Sequence, residues 1–212
     1  MLAVRSSLPE IAAGPAVFAG EDACLTVALL IGLRGVRAQR PLLIVDGANA
    51  FDPFLIADLA RKSGVAPRAL LDQIRISRVF TCHQLEALLR GRLLEAVRRF
   101  HAGAVYFSGI LDPLLDEEVP AGEAGRIFRL IPPVLRALAA SRILTLCACP
   151  PPVSRPGRER LFPALCGAAR WVFEVTRGAD HPDHIRITCR RPAEATWTWE
   201  PQIGLIAPRR WW

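Results

Sequence analysis

The sequence predicts an α/β protein with a mainly parallel central sheet and an antiparallel hairpin at its C-terminal end. Short apolar runs bounded by proline, glycine or polar residues are typical of strands that are buried on both faces. Segments with helical patterns separate these runs, and alternation of strands and helices favours parallel pairing. The runs that we interpret as buried strands are residues 42–45, 104–107 and 143–149.

The N-terminal part begins with a lead-in over residues 1–15, followed by a short apolar strand over residues 16–19. A single glycine, Gly20, then precedes an apolar helix that we expect to end near Gly35. A strand, a glycine-containing loop and a helix form the context in which phosphate-binding loops occur. The connection after Gly20 is therefore the first segment to test for nucleotide-binding residues.

Residues 41–89 contain the pattern around which the rest of the chain is arranged. The segment predicts a buried strand, a loop, a helix, a turn marked by proline, a second strand and a second helix. Asp46 ends the first of these strands, at the position where open α/β sheets place their ligands. Asp52 and Pro53 supply the cap and the first-turn proline of the helix. The short crossover implies a right-handed connection and parallel pairing.

The C-terminal half continues with helices and closes with strands. We expect a helix with a basic face over residues 90–99 and a helix over residues 125–140 that is kinked at Pro132 and Pro133. Residues 171–175 and 185–189 are predicted to form the hairpin, and Trp197 and Trp199 to share one face of a further strand.

The composition is that of a folded basic protein with one domain over residues 1–212. Hydrophobic residues make up 51% of the chain and charged residues 22%, so a sizeable core is expected. The formal net charge is +7, and Lys62 is the only lysine. Arginine suits bidentate contact with phosphates, but a GC-rich genome also favours arginine over lysine. The charge therefore permits a nucleic-acid partner without establishing one.

The cysteine pattern argues against a metal centre and for a reducing compartment. No pair has C-x-x-C spacing, and we expect Cys147 and Cys149 to be core thiols. We see no signal peptide, and the longest apolar run, residues 25–33, is too short to span a bilayer. These features predict a cytoplasmic protein with reduced thiols and no metal site. The six cysteines are Cys24, Cys82, Cys147, Cys149, Cys166 and Cys189.

Residues 41–89 also carry a resemblance to a known family. The parts that match are Val45-Asp46, Phe51-Asp52-Pro53, residues 71–74 and the Arg-x-Phe-x-x-x-Gln run over residues 78–84. In these parts the chain is similar to the second-strand region of the RecA superfamily, in the branch that contains the archaeal RadA-type recombinases. The resemblance implies a RecA-like three-layer αβα fold, followed by a tail over residues 207–212.

The resemblance also implies a degenerate nucleotide site. Leu25 stands where the family has its P-loop lysine, Ala48 where it has a catalytic glutamate, and Ser108 where it has the Walker B aspartate. None of these residues can perform the chemistry of the one it replaces. The resemblance therefore implies a catalytically inactive protein without a nucleotide cofactor. The degenerate site comprises Gly20, Leu25, Thr26, Asp46, Ala48 and Ser108.

Two loops correspond in the resemblance to the DNA-contacting loops of the recombinases. The first, opened by Asp112 and acidic over residues 116–118, would repel phosphates. The second, residues 150–160, carries three arginines that could contact a nucleic-acid backbone. The chain ends in two arginines followed by Trp211 and Trp212, and we expect these tryptophans to be buried against another surface. The expected partners are single-stranded DNA or a recombinase. The expected contacts are Arg155, Arg158, Arg160, Arg209 and Arg210.

Other functions remain open from the sequence. One is a protein-binding scaffold outside DNA repair, which would use the acidic loop and the apolar C-terminus. Another is a weak ATPase. A third is a metal-dependent nuclease, because the strand end at Asp46 also resembles the first acidic motif of PIN/NYN-type nucleases. Its carboxylate cluster would comprise Asp46, Asn49, Asp52, Asp112 and Asp116. His181 and His184 lie beside Asp180 and Asp183, a composition that fits a solvated turn better than a metal site.

Overall fold

The computed structural model describes residues 8–11, 14–36, 40–150, 155–178 and 184–199. Within these residues the chain forms one mixed α/β sheet structure. The strands are β1 (Pro15–Gly20), β2 (Leu42–Asp46), β3 (Ile74–Arg78), β4 (Ala104–Ser108), β5 (Leu144–Cys149), β6 (Trp171–Arg177), β7 (Ile185–Arg191) and β8 (Ala195–Trp199). The helices are α1 (Ala23–Arg34), α2 (Pro53–Lys62), α3 (Pro67–Leu71), α4 (Cys82–Ala87), α5 (Leu93–Arg99), α6 (Asp112–Leu115), α7 (Ala121–Phe128), α8 (Ile131–Ala140) and α9 (Leu161–Ala168).

The strands are ordered β3-β2-β4-β5-β1-β6-β7-β8 across the sheet. All pairs from β3 to β6 are parallel, whereas β7 pairs antiparallel with both β6 and β8. The mainly parallel sheet and its C-terminal antiparallel hairpin are confirmed. The described part of the sheet ends at β3 on one side and at β8 on the other.

Apolar side chains pack on both faces of the parallel strands, which explains their continuous hydrophobic runs. Alternate residues of one strand enter different clusters: Phe18 packs on one face and Val17 on the other. Helices α1, α2 and α3 cover the first face, and the helices from α4 onwards contribute to the second. Fully buried side chains of the helices include Leu30, Ile56 and Leu70 on the first face and Ile127, Leu135 and Leu165 on the second.

Several predicted helix boundaries were wrong. The single kinked helix over residues 125–140 is two helices, α7 and α8, which are interrupted at Arg129 and Leu130. Pro132 lies in the first turn of α8, where its missing N–H costs nothing. The proline-marked turn before β3 is helix α3, and the acidic loop begins with the short helix α6.

The predicted helix over residues 90–99 is also divided. A π-helical turn over Leu88–Arg92 contains Gly91 at φ 149°, and α5 follows it directly. Gly91 supplies the positive φ that other residues rarely adopt. The arginines of this region are exposed, as the predicted basic face requires: Arg90, Arg92, Arg98 and Arg99.

The prediction that Trp197 and Trp199 share one face of a strand is confirmed. Trp197 and Trp199 both pack against the first-face cluster, and Trp197 meets Phe173 edge to face with 6.0 Å between ring centroids. Phe173 stacks in turn on Phe18 at 4.7 Å. All six cysteines are free, and Cys147 and Cys149 are buried. Among the described residues, no helix combines the length and hydropathy that crossing a bilayer would require.

Some predictions concern residues that the structure does not describe. The C-terminal arginines Arg209 and Arg210 and the terminal Trp211 and Trp212 belong to this group. His181, the first half of the lead-in and residues 151–154 of the second predicted loop also lie outside the described ranges.

Candidate functional site

The connection between β1 and α1 is a tight turn of two residues, Glu21 and Asp22. Gly20 has φ 119°, and a Cβ at this position would overlap the carbonyl oxygen of Val175 in β6. The backbone N–H of Glu21 donates to that same oxygen at 3.0 Å. The turn therefore lies directly against β6, and only glycine permits this close approach.

The side chain of Glu21 ties the turn to β6 a second time. Its Oε1 accepts a hydrogen bond from the backbone N–H of Arg177 at 3.1 Å, and its Oε2 lies 3.5 Å from Nε of the same residue. The next amides are also occupied, because the N–H of Cys24 and of Leu25 donate to the carbonyl oxygens of Glu21 and Asp22. A phosphate loop needs such amides free to point at the ligand. Here they are used within the protein, beside two carboxylates.

Leu25 and Thr26 border a small cavity between α1, α2 and the sheet. The carbonyl oxygen of Leu25 accepts a hydrogen bond from the Tyr106 hydroxyl at 2.9 Å. Burial raises the pKa of Tyr106 well above its ordinary value, so this hydroxyl remains protonated. The cavity measures about 30 Å³, which is comparable to the volume of one water molecule. Its lining includes Leu25, Thr26, Phe51, Tyr106 and Ser108.

Asp46 is fully buried and organises the loop that follows β2. Its Oδ1 accepts a hydrogen bond from the backbone N–H of Ala50 at 3.0 Å, and its Oδ2 accepts one from Phe51 at 3.1 Å. Nε of Arg78 lies 4.0 Å from Oδ2. Both oxygens of this carboxylate therefore accept hydrogen bonds from backbone amides of the loop. The guanidinium of Arg78 lies nearby with the opposite charge.

Ser108 lies beside Asp46 in the sheet and binds the same loop through its backbone. The two residues are register partners in the β2–β4 pair. The carbonyl oxygen of Ser108 accepts hydrogen bonds from the N–H of Gly47 at 2.8 Å and of Ala48 at 3.0 Å. The loop that contains Ala48 is therefore held in place by backbone hydrogen bonds. The resemblance predicts a catalytic glutamate at the position of Ala48. The structure brings Leu25, Thr26, Asp46, Ala48 and Ser108 into one region, with Gly20 at the turn against β6.

The carboxylates proposed for a nuclease do not assemble around a common centre. Asp52 caps α2 by accepting a hydrogen bond from the N–H of Phe54 at 2.8 Å. Asp116 accepts one from the N–H of Glu118 at 2.9 Å, and both aspartates are exposed. In the described ranges, no group of three or more His, Cys, Asp or Glu side chains could hold a metal ion.

Asp112 is partly buried and lies close enough to Asp46 for the two charges to interact. Desolvation, and then the charge of Asp46, raises the pKa of Asp112. A carboxyl group with a raised pKa in the folded state destabilises the fold once pH exceeds its ordinary pKa of 3.8. Below that pH the penalty is absent, because the group is protonated in both states.

Replacing Asp112 by asparagine is therefore expected to raise the free energy of unfolding at pH 7. The gain should shrink as pH falls and disappear below about pH 3.8, the ordinary pKa of the group. Urea unfolding of the parent and of D112N across this pH range measures the difference. The control D116N removes an exposed carboxylate and should give no gain, and a stability loss in D112N at pH 7 would contradict the prediction.

The arginines of the second predicted loop are largely engaged. Arg158 is only 7% exposed, and its Nη2 donates to the carbonyl oxygen of Val119. Arg155 pairs with Glu117, whereas Arg160 is exposed. Arg158 is therefore buried, and the expected contacts of Arg155, Arg158 and Arg160 with nucleic acid stay a prediction. The sequence showed an acidic and a basic segment, but not that they meet.

Sequence reasoning missed the exposed apolar side chains on β3 and on the segments next to it. The large hydrophobic side chains that stand exposed among the described residues are Phe54 at 81%, Ile76 at 42% and Phe80 at 59%. Ile76 is on β3, Phe80 follows it, and Phe54 opens the helix after the neighbouring strand β2. The only signal in the sequence was the apolar residue at position 76, flanked by polar residues in a short strand.

Comparison with known proteins adds no family assignment. Neither the models of known protein families nor the curated proteins give a match to this chain.

Proposed function

We propose that this chain is a non-catalytic protein with a RecA-like three-layer fold that serves as an accessory in DNA repair or recombination. In this role it would bind single-stranded DNA or a recombinase partner. The observation that carries the proposal is the β1–α1 turn, which is closed against β6 where a P-loop would hold phosphates. The resemblance of residues 41–89 to the RecA superfamily supplies the context.

Residues as well as geometry support the proposed lack of ATP chemistry. Leu25 cannot neutralise a terminal phosphate, Ala48 cannot orient an attacking water, and Ser108 carries no charge for a metal ion. The amides at the start of α1 are already bonded, and the adjoining cavity is much smaller than a nucleotide. Each of these features alone would weaken nucleotide binding, and together they oppose it.

A polyanion partner is supported by charge and exposure. The net charge of +7 favours association with nucleic acid at low ionic strength. Arg160 is exposed at the end of the loop that corresponds in the resemblance to a DNA-contacting loop, and the ion-pair partner of Arg155 is an exposed glutamate. Arginines on such a loop would contact phosphates rather than bases, so we expect little sequence preference.

The test is fluorescence anisotropy with labelled single-stranded DNA over a salt series, with and without ATP and magnesium. We expect binding that weakens steeply with salt and does not respond to ATP. The variant R160Q should lower the slope of log affinity against log salt by about 0.7, the value for one phosphate contact with a single strand. The control R68Q removes an equally charged, 93% exposed side chain on the opposite face of the sheet and should leave the slope unchanged. Binding that requires ATP would contradict the proposal.

A protein partner is the second candidate, and the β3 edge favours it. A strand at the edge of a sheet leaves every second backbone N–H and C=O without a strand partner, and an extended peptide can pair with them. Ile76 and Phe80 are exposed along this edge, with Arg78 48% exposed between them. If the anisotropy experiment gives no DNA binding at low salt, this edge becomes the surface to test for a protein partner.

A further inference from the structure

The acidic segment (residues 116–118) and the basic segment (residues 155–160) contact each other in the fold. Arg155 pairs with Glu117, and Arg158 donates to the carbonyl oxygen of Val119. Gly157 packs so closely on this region that a Cβ there would lie 3.0 Å from Cβ of Ala121. The basic segment is therefore held against Glu117 by a side-chain pair and against Val119 and Ala121, which follow the acidic segment, by a backbone acceptor and close packing.

This contact leaves hydrogen-bond donors of both arginines unsatisfied. Nε of Arg155 and Nε of Arg158 are buried and have no acceptor among the described residues. A buried donor without an acceptor costs free energy. The ion pair between Arg155 and Glu117 is weak as well, because the side chain of Glu117 is 70% exposed and exposed ion pairs are screened by water and salt.

We propose that Glu117 is an internal competitor, which occupies Arg155 until the phosphates of a single-stranded nucleic acid displace it. The inference rests on the proposed function and concerns its regulation. Both a carboxylate and a phosphate accept the two parallel hydrogen bonds of a guanidinium, so they compete for the same donors. A phosphodiester strand offers acceptors in series and can satisfy the donors that the internal contact leaves unmatched. The acidic segment thus lowers the affinity of the basic segment for phosphates.

The acidic segment provides a matched pair of variants. E117Q removes the charge that pairs with Arg155, whereas E118Q removes the same charge one residue further on. Both substitutions change the net charge equally, so their difference isolates the ion pair. We expect E117Q to bind single-stranded DNA about two- to fivefold more tightly than E118Q, which is the range for releasing an exposed ion pair. The gain should disappear when R155Q is added to E117Q.

A second measurement reports on the contact itself. Trypsin cleavage after Arg158 and Arg160 requires local opening of the chain. The bond after Arg155 precedes Pro156 and is resistant to trypsin. E117Q should therefore be cleaved faster than E118Q at these two sites, without loss of global stability.

The outcomes separate this inference from the proposed function. Anisotropy is measured in parallel with DNA and with labelled inorganic polyphosphate. A gain for E117Q over E118Q with either polyanion, lost in the double variant, supports the internal competition. A gain with polyphosphate alone, with no DNA binding by any variant, supports the competition for phosphates and overturns the DNA-binding part of the proposed function. Equal affinities of E117Q and E118Q for both probes, or a gain that survives R155Q, overturn the competition.

Discussion

Replacing Asp46 by alanine is expected to lower the free energy of unfolding by about 3 kcal/mol, since hydrogen bonds to charged groups contribute roughly 1.5–3 kcal/mol each. Asp46 is fully buried, and its carboxylate accepts hydrogen bonds from the N–H groups of Ala50 and Phe51. Alanine would leave both amides without an acceptor and remove the negative charge near Arg78. The loop after β2 should then lose its anchor.

Urea unfolding at pH 7 measures this effect, and thermal unfolding should show a fall in Tm of roughly 6–12 °C for a chain of this size. Two controls locate the cause. D46N keeps one acceptor oxygen and should be destabilised less than D46A. D52A removes an exposed cap from α2 and should cost only about 1 kcal/mol. A loss below that of D52A would show that the loop is held by other contacts.

Replacing Gly20 by alanine is expected to cost about 3 kcal/mol or more, because two penalties combine at one residue. Its φ of 119° is rarely adopted by residues with a side chain, and an added Cβ would overlap the Val175 carbonyl oxygen. That oxygen also accepts the N–H of Glu21, so relief of the overlap would break the contact between the turn and β6.

Gly125 offers the matched control for this substitution. It lies inside α7, and a Cβ there would meet nothing within 4 Å. G125A should therefore be neutral or stabilising by up to about 1 kcal/mol, the difference in helix propensity between the two residues. Circular dichroism during urea unfolding distinguishes the two variants. If G20A and G125A behaved alike, the close approach of the turn to β6 would not matter for stability.

The central part of the sheet was predictable because its parallel strands are buried on both faces. The strands Leu42–Asp46 and Leu144–Cys149 are buried along almost their whole length, and Asp46 and Thr145 are their only polar residues. The division between α7 and α8 was not predictable in this way, because Arg129 and Leu130 both favour helices. Tertiary packing decides that boundary, and Pro132 then begins a new helix instead of kinking an old one.

The candidate site depends even more on tertiary contacts that the sequence does not reveal. The resemblance in the sequence implies that Leu25, Ala48 and Ser108 replace residues needed for ATP hydrolysis, and this stays a prediction. The sequence could not show that the turn before Leu25 is closed, because Glu21 is held by Arg177, a partner 156 positions away. The burial of Arg158 depends in the same way on Val119, 39 positions earlier. Contacts between distant segments leave no periodic signal in the sequence.

The two-residue connection between β1 and α1 also limits what single substitutions could change. A lysine introduced at position 25 would stand at a helix start whose amides already bind Glu21 and Asp22. Freeing those amides requires a longer connection, and a longer connection would separate Glu21 from Arg177 and the turn from β6. Gain of phosphate binding here thus requires an insertion in the turn together with repacking at the end of β6.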